Sequence, residues 1–496
     1  MKILLVNPEF PDTYWSFRHA LPFEGKRCAF PPLGLLTVSA LLPPTWERRL
    51  VDLNIESLKT ADIDWADMVF ATAMLVQEQS LREVVKLAKA RGKRVVLGGP
   101  YVTSTIQELP DADHIFRGEA EQTLPQFVED LARGETKRVY QAAERPALAT
   151  TPIADFGLAN LKRYSAMSVQ YSRGCPFSCE FCDIIEIYGR IPRTKSNQQM
   201  LAELDALKAL GWRGTVFIVD DNFIGNKKNV RQLLPDLAGW QKANGYPFEL
   251  ITESSVNLAD DQPLLASMRE AGFNRVFLGI ETPVEESLHE AQKSQNRGNL
   301  VESVRTIQRH GIEVMAGFIV GFDNDPEDIF ERQIDFVRRS AIPLAMVGLL
   351  NALPDTQLWK RLDREGRLLG QDATGNNTVC TFNFKTRMDP AFLVRGYQRI
   401  MRTIYGPREY YARVLDSLGR TSQPQATEAY TYSLPRGLAA LMRILFKLGV
   451  IDRERKEFWR FFVRALIKHR TRLVDSMRLA AVGYHCRKLS DAYGEN

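Results

Sequence analysis

The chain has 496 residues, with 45% hydrophobic residues, 25% charged residues and a formal net charge of +5. This length allows two to four domains with sizeable cores, and the composition is that of an ordinary globular protein. Six cysteines, three of them within eight residues, exclude a disulfide framework and favour a reducing, cytoplasmic location. No run of 18 apolar residues occurs, so we expect no membrane-spanning segment.

Residues 1–145 alternate short apolar runs with helix-like segments, which predicts an α/β domain with a doubly wound, Rossmann-like parallel sheet. The N-terminus, MKILLVNPEF, is typical of a first strand and not of a signal peptide. No G-x-G-x-x-G follows that strand, so NAD is not expected. Small residues instead follow the fourth and fifth strands, as tight turns or as a slot for an extended ligand: Gly98, Gly99, Pro100, and Gly118 with Glu119.

Residues 146–165 have the Ala/Pro/Thr-rich composition of a linker, and about six strand–helix units follow over 166–352. Such a run predicts a partial (βα)6 barrel of the TIM type, whose active residues lie at the carboxyl ends of the strands. Polar residues do follow three of these strands. They are Asp220, Asp221 and Asn222, then Glu253, Ser254 and Ser255, then Glu281.

Cys175, Cys179 and Cys182 follow the first barrel strand with C-x-x-x-C-x-x-C spacing. Three thiolates can bind three irons of a cubic [4Fe–4S] cluster and leave the fourth iron open to a small molecule. A zinc site would need a fourth ligand, and His114, more than 60 residues upstream, is the nearest histidine. An ordinary thiol loop is the remaining alternative.

The segment CPFSCEFC (175–182), followed by VDDNF, TESS, GIET and GFIVGF at later strands, resembles the radical S-adenosylmethionine (SAM) superfamily. The resemblance implies that the three cysteines hold the cluster and that SAM chelates the open iron and is cleaved to a 5′-deoxyadenosyl radical. By strand position it implies SAM contacts from Phe181 at the adenine, from Asp220, Asp221, Ser254, Ser255 and Glu281 at the amine and ribose, and from Arg193 and Lys195 at the carboxylate. Helix caps and rim salt bridges are the alternative roles for these residues.

The N-terminal domain, which precedes this radical SAM-like domain, resembles the cobalamin-binding domain that is fused to one subgroup of the superfamily. The resemblance implies cobalamin contacts from Thr72, Met74, Leu75, Gly98, Gly99, Pro100, Gly118 and Glu119. The D-x-H-x-x-G motif through which many cobalamin proteins ligate cobalt is missing, because none of the six histidines has an aspartate two residues before it. We therefore expect no histidine ligand to cobalt from that motif, which suits a methyl carrier or a domain that has lost cobalamin.

Residues 353–496 read as a mostly helical domain and are similar to the uncharacterised C-terminal domain of this subgroup. Phe458, Phe461, Phe462, Ala465 and Leu466 fall on one helix face, and Arg460, Arg464 and Lys468 on the other. These helices either pack on the barrel or make peripheral contact with the inner face of a membrane through 438–472. Nucleic acid is not expected, because no binding motif accompanies the basic residues.

Together these features predict a cobalamin-dependent radical SAM methyltransferase that acts on an unactivated carbon of a small-molecule or lipid-like substrate. An electron donor such as flavodoxin or ferredoxin would reduce the cluster. Two alternatives stay open. One is a radical SAM enzyme that couples, cyclises or rearranges its substrate without methyl transfer, and the other is a non-catalytic corrinoid-binding protein.

Overall fold

A computed structural model describes residues 1–105, 109–370, 373–422 and 434–492. Six parallel strands form the first sheet in the order β2-β1-β3-β4-β5-β6. The strands are β1 (Lys2–Asn7), β2 (Glu47–Asp52), β3 (Met68–Thr72), β4 (Arg94–Gly98), β5 (His114–Arg117) and β6 (Val139–Gln141). The helices are α1 (Leu21–Glu24), α2 (Leu33–Leu41), α3 (Thr60–Trp65), α4 (Glu78–Ala90), α5 (Pro100–Ser104) and α6 (Ala120–Arg133).

Helices cover both faces of this sheet, because the strands are apolar on both sides. Helices α3, α4 and α5 pack on one face through Ile63, Leu81 and Tyr101. Helices α2 and α6 pack on the other through Leu35 and Phe127. The order in which strands are added to the sheet reverses between β1 and β3, and such a switch point is where these sheets bind ligands, outside the carboxyl ends of the strands.

The second sheet is also parallel, in the order β14-β13-β12-β11-β10-β7, and β7 and β14 form its two edges. The strands are β7 (Met167–Val169), β10 (Gly214–Ile218), β11 (Phe248–Ser254), β12 (Phe273–Glu281), β13 (Glu313–Val320) and β14 (Leu344–Leu349). The accompanying helices are α7 (Ile184–Ile187), α8 (Asn197–Ala209), α9 (Lys227–Ala243), α10 (Gln262–Glu270), α11 (Glu285–Glu290), α12 (Leu300–Arg309) and α13 (Ile329–Ser340).

The loop after β1 reaches into the second sheet and joins the two domains. Trp15 stacks on Phe217 of β10 at 5.9 Å and contacts Phe277 of β12 at 5.3 Å between ring centroids. Tyr14 donates a hydrogen bond to Val347 O of β14 at 2.9 Å. The open barrel is therefore filled partly by aromatic side chains from the first domain.

The C-terminal helices cover the free edge of β14 and pack on the barrel. They are α14 (Gln357–Arg364), α15 (Pro390–Ile404), α16 (Pro407–Arg420), α17 (Leu434–Phe446), α18 (Arg455–Lys468) and α19 (Leu473–Ala492). Tyr405, just after α15, donates to Ala345 O at 2.7 Å and accepts from Ala345 N–H at 3.1 Å, which satisfies edge groups of β14. None of the helices in the described ranges is long and apolar enough to cross a bilayer.

The predicted fold class is confirmed, including the Rossmann-like sheet, the partial six-stranded barrel and the helical C-terminus. The first barrel strand ends at Val169, and the chain then forms β8 (Ser172–Arg173), which turns away to pair antiparallel with β9 (Arg193–Thr194). The boundaries at 145, 165 and 352 stay predictions. Parts of the predicted last domain, 371–372, 423–433 and 493–496, lie outside the described residues.

Candidate functional site

The three cysteines lie on a loop whose two ends are held together by β8 and β9, a pair of strands that we call the neck. Arg173 and Arg193 face each other in it. Just beyond, Cys175 N–H donates to Gly189 O at 3.2 Å. Gly174 has a φ of +98°, and a Cβ added there would lie 2.7 Å from Gly189 O. The loop therefore closes tightly, and a glycine is required where it begins.

The three thiols are free, and two of them contact amide side chains. Asn222 Nδ2 lies 3.8 Å from Cys175 Sγ, and Gln295 Nε2 lies 3.4 Å from Cys179 Sγ. Burial raises the pKa of Cys175 and of Cys182, because a desolvated thiolate without a counter-charge is unfavourable. Iron supplies that positive charge, so the chemistry of the loop fits an iron–sulfur cluster.

Over the residues that the structure describes, no three His, Cys, Asp or Glu side chains are arranged as ligands of one metal ion. A cubic cluster does not require them to converge, because each thiolate binds a different iron. The two observations are therefore compatible.

Two aspartates after β10 order the chain that leads to the cysteines. Asp220 accepts from the N–H groups of Tyr171 at 2.7 Å and Ser172 at 2.9 Å, and from Ser172 Oγ at 2.6 Å. Asp221 accepts from Gly174 N–H at 3.2 Å. Burial raises the pKa of Asp220 to about 6 and that of Asp221 to about 7. Both aspartates hold the loop in this structure, and their contact with SAM stays a prediction.

A buried ion pair between Lys293 and Glu281 stands beside the cysteine loop. Glu281 has a φ of +63° where β12 shifts register, so the strand end is bent to aim this side chain. Burial alone would lower the pKa of Lys293, but the charges of Glu281 and Cys179 outweigh it and raise that pKa. Lys293 Nζ also lies 5.6 Å from the Phe181 ring centroid. A fixed positive charge therefore faces both the thiols and the predicted adenine contact.

Asn222 connects the predicted serines to the cysteine loop. Ser255 N–H donates to Asn222 Oδ1 at 3.2 Å, and Asn222 Nδ2 donates to Ser255 Oγ at 3.2 Å. Ser255 Oγ is also 2.7 Å from Asn257 Oδ1, and Ser254 Oγ donates to Ser255 O at 3.3 Å. The serines therefore lie on the same rim as the cysteines, as their strand positions predict.

Sequence reasoning missed two amides between α11 and α12. Gln295 Oε1 and Asn296 Oδ1 are buried and have no hydrogen-bond partner within the described chain, while Asn296 Nδ2 donates to Gly279 O at 3.0 Å and Ile280 O at 2.8 Å. Buried acceptors without donors are costly, so they indicate a ligand that brings donors. Neither residue follows a strand, which is why no pattern indicated them.

Glu253, at the end of β11, was noted in the sequence but not predicted to bind. Burial, with a smaller contribution from the charges of Asp221 and Asp220, raises its pKa to about 8. Among the described residues its carboxylate has no hydrogen-bond partner. Burial therefore favours the protonated form of this carboxyl group, which can donate a hydrogen bond.

The two cations predicted for SAM's carboxylate are paired within the protein. Lys195 forms a buried ion pair with Glu203. Arg193 Nη2 lies 2.6 Å from Glu119 Oε1, and Arg173 Nη1 lies 2.6 Å from Glu119 Oε2. Glu119 was itself predicted to contact cobalamin. The structure therefore joins one predicted SAM contact, Arg193, to one predicted cobalamin contact, and both roles stay predictions.

The glycine turns predicted to receive cobalamin lie together at the carboxyl end of the first sheet. Gly99 has a φ of +93°, and an added Cβ would overlap Thr72 Oγ1. Gly118 has a φ of +80°, and nothing lies within 4 Å of its missing Cβ. Thr103 Oγ1 joins the turns, because it donates to Gly99 O at 2.9 Å and accepts from Gly118 N–H at 3.0 Å. Pro100 begins α5, so these turns present backbone and open space to a ligand.

The loop after β3 adds an apolar surface beside these turns. Met74 is 52% exposed, and Leu75 lies 3.1 Å from the Cβ position of Gly375 in the C-terminal region. Gln77 holds the loop by donating to Pro8 O at 2.6 Å and accepting from Met74 N–H at 2.9 Å. An exposed apolar side chain and an open glycine turn fit a large, flat ring better than a charged ligand.

Family comparisons match three consecutive parts of the chain. Residues 29–128 match the B12 binding domain, 169–337 match the radical SAM superfamily, and 356–496 match a domain of unknown function, DUF4070.

Two curated relatives match nearly the whole chain. An uncharacterised methyltransferase of Synechocystis is 45% identical over 92% of this chain and 86% of its own. The hopanoid C-2 methylase of Rhodopseudomonas palustris is 37% identical over 94% of this chain and 90% of its own. Among solved structures, the cobalamin-dependent SAM radical enzyme OxsB with aqua-cobalamin bound has a TM-score of 0.62, is 16% identical, and is matched over 99% of this chain and 80% of its own.

Proposed function

The chain belongs to the B12-binding methylases of the radical SAM superfamily, and from that premise we propose that its substrate is a polycyclic isoprenoid lipid taken up at a membrane surface. The protein is an enzyme, a cobalamin-dependent radical SAM methylase, and its cofactors are a [4Fe–4S] cluster, SAM and cobalamin. When bound, these groups supply radical hydrogen abstraction and a transferable methyl group. The chain's own residues bind, orient and shield them.

On the barrel side, we propose that Cys175, Cys179 and Cys182 hold the cluster. The orphaned oxygens of Gln295 and Asn296 would accept hydrogen bonds from SAM, whose amine and hydroxyl groups are donors. Glu281 and Lys293, already paired, would fix the electrostatic field at the adenine side next to Phe181. These contacts hold SAM still, which is the protein's share of a radical reaction.

On the side of the first sheet, we propose that the turns at Gly98–Pro100 and Gly118 would hold the tail of cobalamin and that Met74 would contact its corrin ring. Support comes from the open space at Gly118 and from the exposure of Met74. No histidine occurs in the loop 72–77. This apolar loop would offer bound cobalamin no histidine and would keep water away from it.

One observation carries the lipid proposal: exposed apolar side chains are concentrated on α17, on α18, on the turn that joins them and at the start of α19. Ten large apolar residues between 438 and 474 are more than 40% exposed, and we call them the apolar surface: Leu438, Met442, Phe446, Val450, Ile451, Trp459, Val463, Leu466, Ile467 and Val474. Their four-residue spacing on α17 makes a stripe along one helix face. A patch of this size on a soluble protein indicates a binding surface for another apolar body.

The exposed apolar residues of α18 form a second stripe. The two stripes meet at the turn between α17 and α18. Residues Lys447–Ile451 form a π-helical turn. Trp459 packs on Gly449 there and donates to Gly449 O at 2.9 Å. Exposed cations flank the stripes, namely Arg443, Arg453, Arg455, Lys456, Arg460, Arg464, Lys468 and Arg470. Apolar stripes bordered by cations suit a membrane with anionic lipids.

Vesicle flotation tests the membrane contact. Met442→Asp with Ile467→Asp should weaken binding to phosphatidylglycerol-containing vesicles by at least about tenfold, because burying one such side chain contributes about 1.5–3 kcal/mol and tenfold is about 1.4 kcal/mol. The matched control is Leu87→Asp with Leu210→Asp, two residues that are 51% and 46% exposed elsewhere. If the wild type and the variant Met442→Asp with Ile467→Asp float equally, the proposed membrane contact is wrong. Hopanoid in the same vesicles, assayed for methylation by mass spectrometry, tests the substrate.

A further inference from the structure

Glu119 has an unusual position for a residue of the first domain. Its side chain is only 3% exposed and lies between two guanidinium groups of the barrel domain. Arg173 Nη1 donates to Oε2 at 2.6 Å, while Arg193 donates to Oε1 at 2.6 Å and to Oε2 at 3.1 Å. Both carboxylate oxygens are thus used in charge-assisted hydrogen bonds, which are among the strongest that proteins form.

The two arginines belong to opposite strands of the neck. Arg173 is on β8, two residues before Cys175, and Arg193 is on β9, where the chain leaves the cysteine loop. Arg193 also donates to Tyr188 O at 3.2 Å, inside the loop. Since each strand of the neck has only two residues, backbone pairing alone holds it weakly. Glu119 therefore crosslinks the two ends of the loop that carries the cysteines.

The backbone on the other side of Glu119 is equally fixed. Gly118 N–H donates to Thr103 Oγ1 at 3.0 Å, which ties this turn to α5. Two residues on, Glu121 Oε1 lies 2.8 Å from Arg173 and accepts from Thr151 Oγ1 at 2.9 Å. The two glutamates and two arginines balance in charge, so the buried cluster needs no further ion.

We propose that Glu119 is a positioning residue that pins the neck of the cysteine loop to the end of β5 and thereby sets the separation of the cluster and cobalamin sites. The pin lies between the turn proposed for cobalamin and the loop proposed for the cluster. Its effect on catalysis rests on the proposed function, whereas its effect on the loop does not.

Hydrogen exchange of the protein without cofactors tests directly whether Glu119 holds the neck through Arg173 and Arg193, the contact that we call the pin. Glu119→Gln keeps the shape and removes the charge, and the amides of 172–194 should then exchange at least tenfold faster than in wild type. Glu313→Gln is the control, because Glu313 makes a similar buried pair with Arg478 at 2.6 Å, away from the neck. In that control the exchange of 172–194 should not change. If Glu119→Gln folds and 172–194 exchange as in wild type, the pin is refuted.

Arg193→Lys provides a second, milder variant if Glu119→Gln does not fold. Lysine keeps the charge but cannot form the bidentate hydrogen bonds of arginine. The amides of 172–194 should therefore exchange faster than in wild type, but by less than in Glu119→Gln. In the holoenzyme, both variants should raise the ratio of deoxyadenosine to methylated product, since SAM cleavage needs only the barrel side and methyl transfer needs both sides. Unchanged exchange in Arg193→Lys, or an unchanged ratio in a variant with faster exchange, would overturn the proposal.

Discussion

The carboxyl ends of the two sheets, at which we propose that the cofactors bind, differ in the kinds of residue that they present. The barrel rim carries thiols, carboxylates, amides and a buried ammonium group; several of these are paired with one another, while the side-chain oxygens of Gln295 and Asn296 have no partner among the described residues. The end of the first sheet offers glycine turns, backbone groups and an exposed methionine. A charged ligand is held by matching charges and hydrogen bonds, and a large ring is held by shape and open space. The contrast indicates that the barrel rim suits a charged ligand such as SAM, and that the end of the first sheet suits the large ring of cobalamin.

The largest expected effect tests the charged end. Cys179→Ala should lower deoxyadenosine formation to the level without enzyme and abolish the iron–sulfur absorption of anaerobically reconstituted protein, because two thiolates cannot hold the cluster. Cys380→Ala, at a half-buried thiol outside the loop, should leave both unchanged. A Cys179→Ala variant that still cleaves SAM would show that the barrel rim has been misassigned.

The next effect tests the glycine end. Gly99→Ala should destabilise the protein by about 1–3 kcal/mol and sharply reduce the cobalamin that it retains, because a side chain is strained at this φ and overlaps Thr72. Urea unfolding and the corrinoid absorption measure the two effects. Gly34→Ala is matched, since nothing lies within 4 Å of its Cβ position in α2. Full cobalamin retention by Gly99→Ala would contradict a site built on shape.

The third effect concerns protonation at the rim. Folding raises the pKa of Glu253 from its ordinary value of 4.5 to about 8, so its contribution to stability is present below pH 4.5 and is lost as the pH rises toward 8. The loss in that window is at most about 1.4 kcal/mol per pH unit. Glu253→Gln should therefore flatten the pH dependence of the unfolding free energy of cofactor-free protein. Parallel pH profiles for both proteins would mean that Glu253 ionises normally.

Periodicity predicted most strands and helices, because buried parallel strands are apolar and the helices between them are amphipathic. The cysteine spacing and the polar strand ends predicted the rim. Contacts between side chains that are far apart in the sequence follow no such pattern, so they could not be predicted. Glu119 and Arg193 are 74 residues apart, and each was predicted to bind a different cofactor. Lys293, Gln295 and Asn296 come from a loop that no strand end marks, and Trp15 enters the barrel from another domain.

The sequence predicted only part of the apolar surface. Of the predicted face of α18, Phe458, Phe461 and Ala465 are buried where α18 packs on the neighbouring helices α16 and α19. Trp459, Val463 and Ile467 form a second face that the sequence analysis did not separate from the basic one. Helical spacing allows both, and only the positions of α16 and α19 decide which face is covered.

The central claim is that both ends act in one methyl transfer. The most direct test supplies wild-type protein with cluster, cobalamin, reductant, hopanoid and SAM labelled in its methyl group. The account predicts equal amounts of deoxyadenosine and S-adenosylhomocysteine, together with labelled, methylated lipid. Deoxyadenosine with neither S-adenosylhomocysteine nor label in the lipid would contradict it and would favour a radical reaction without methyl transfer.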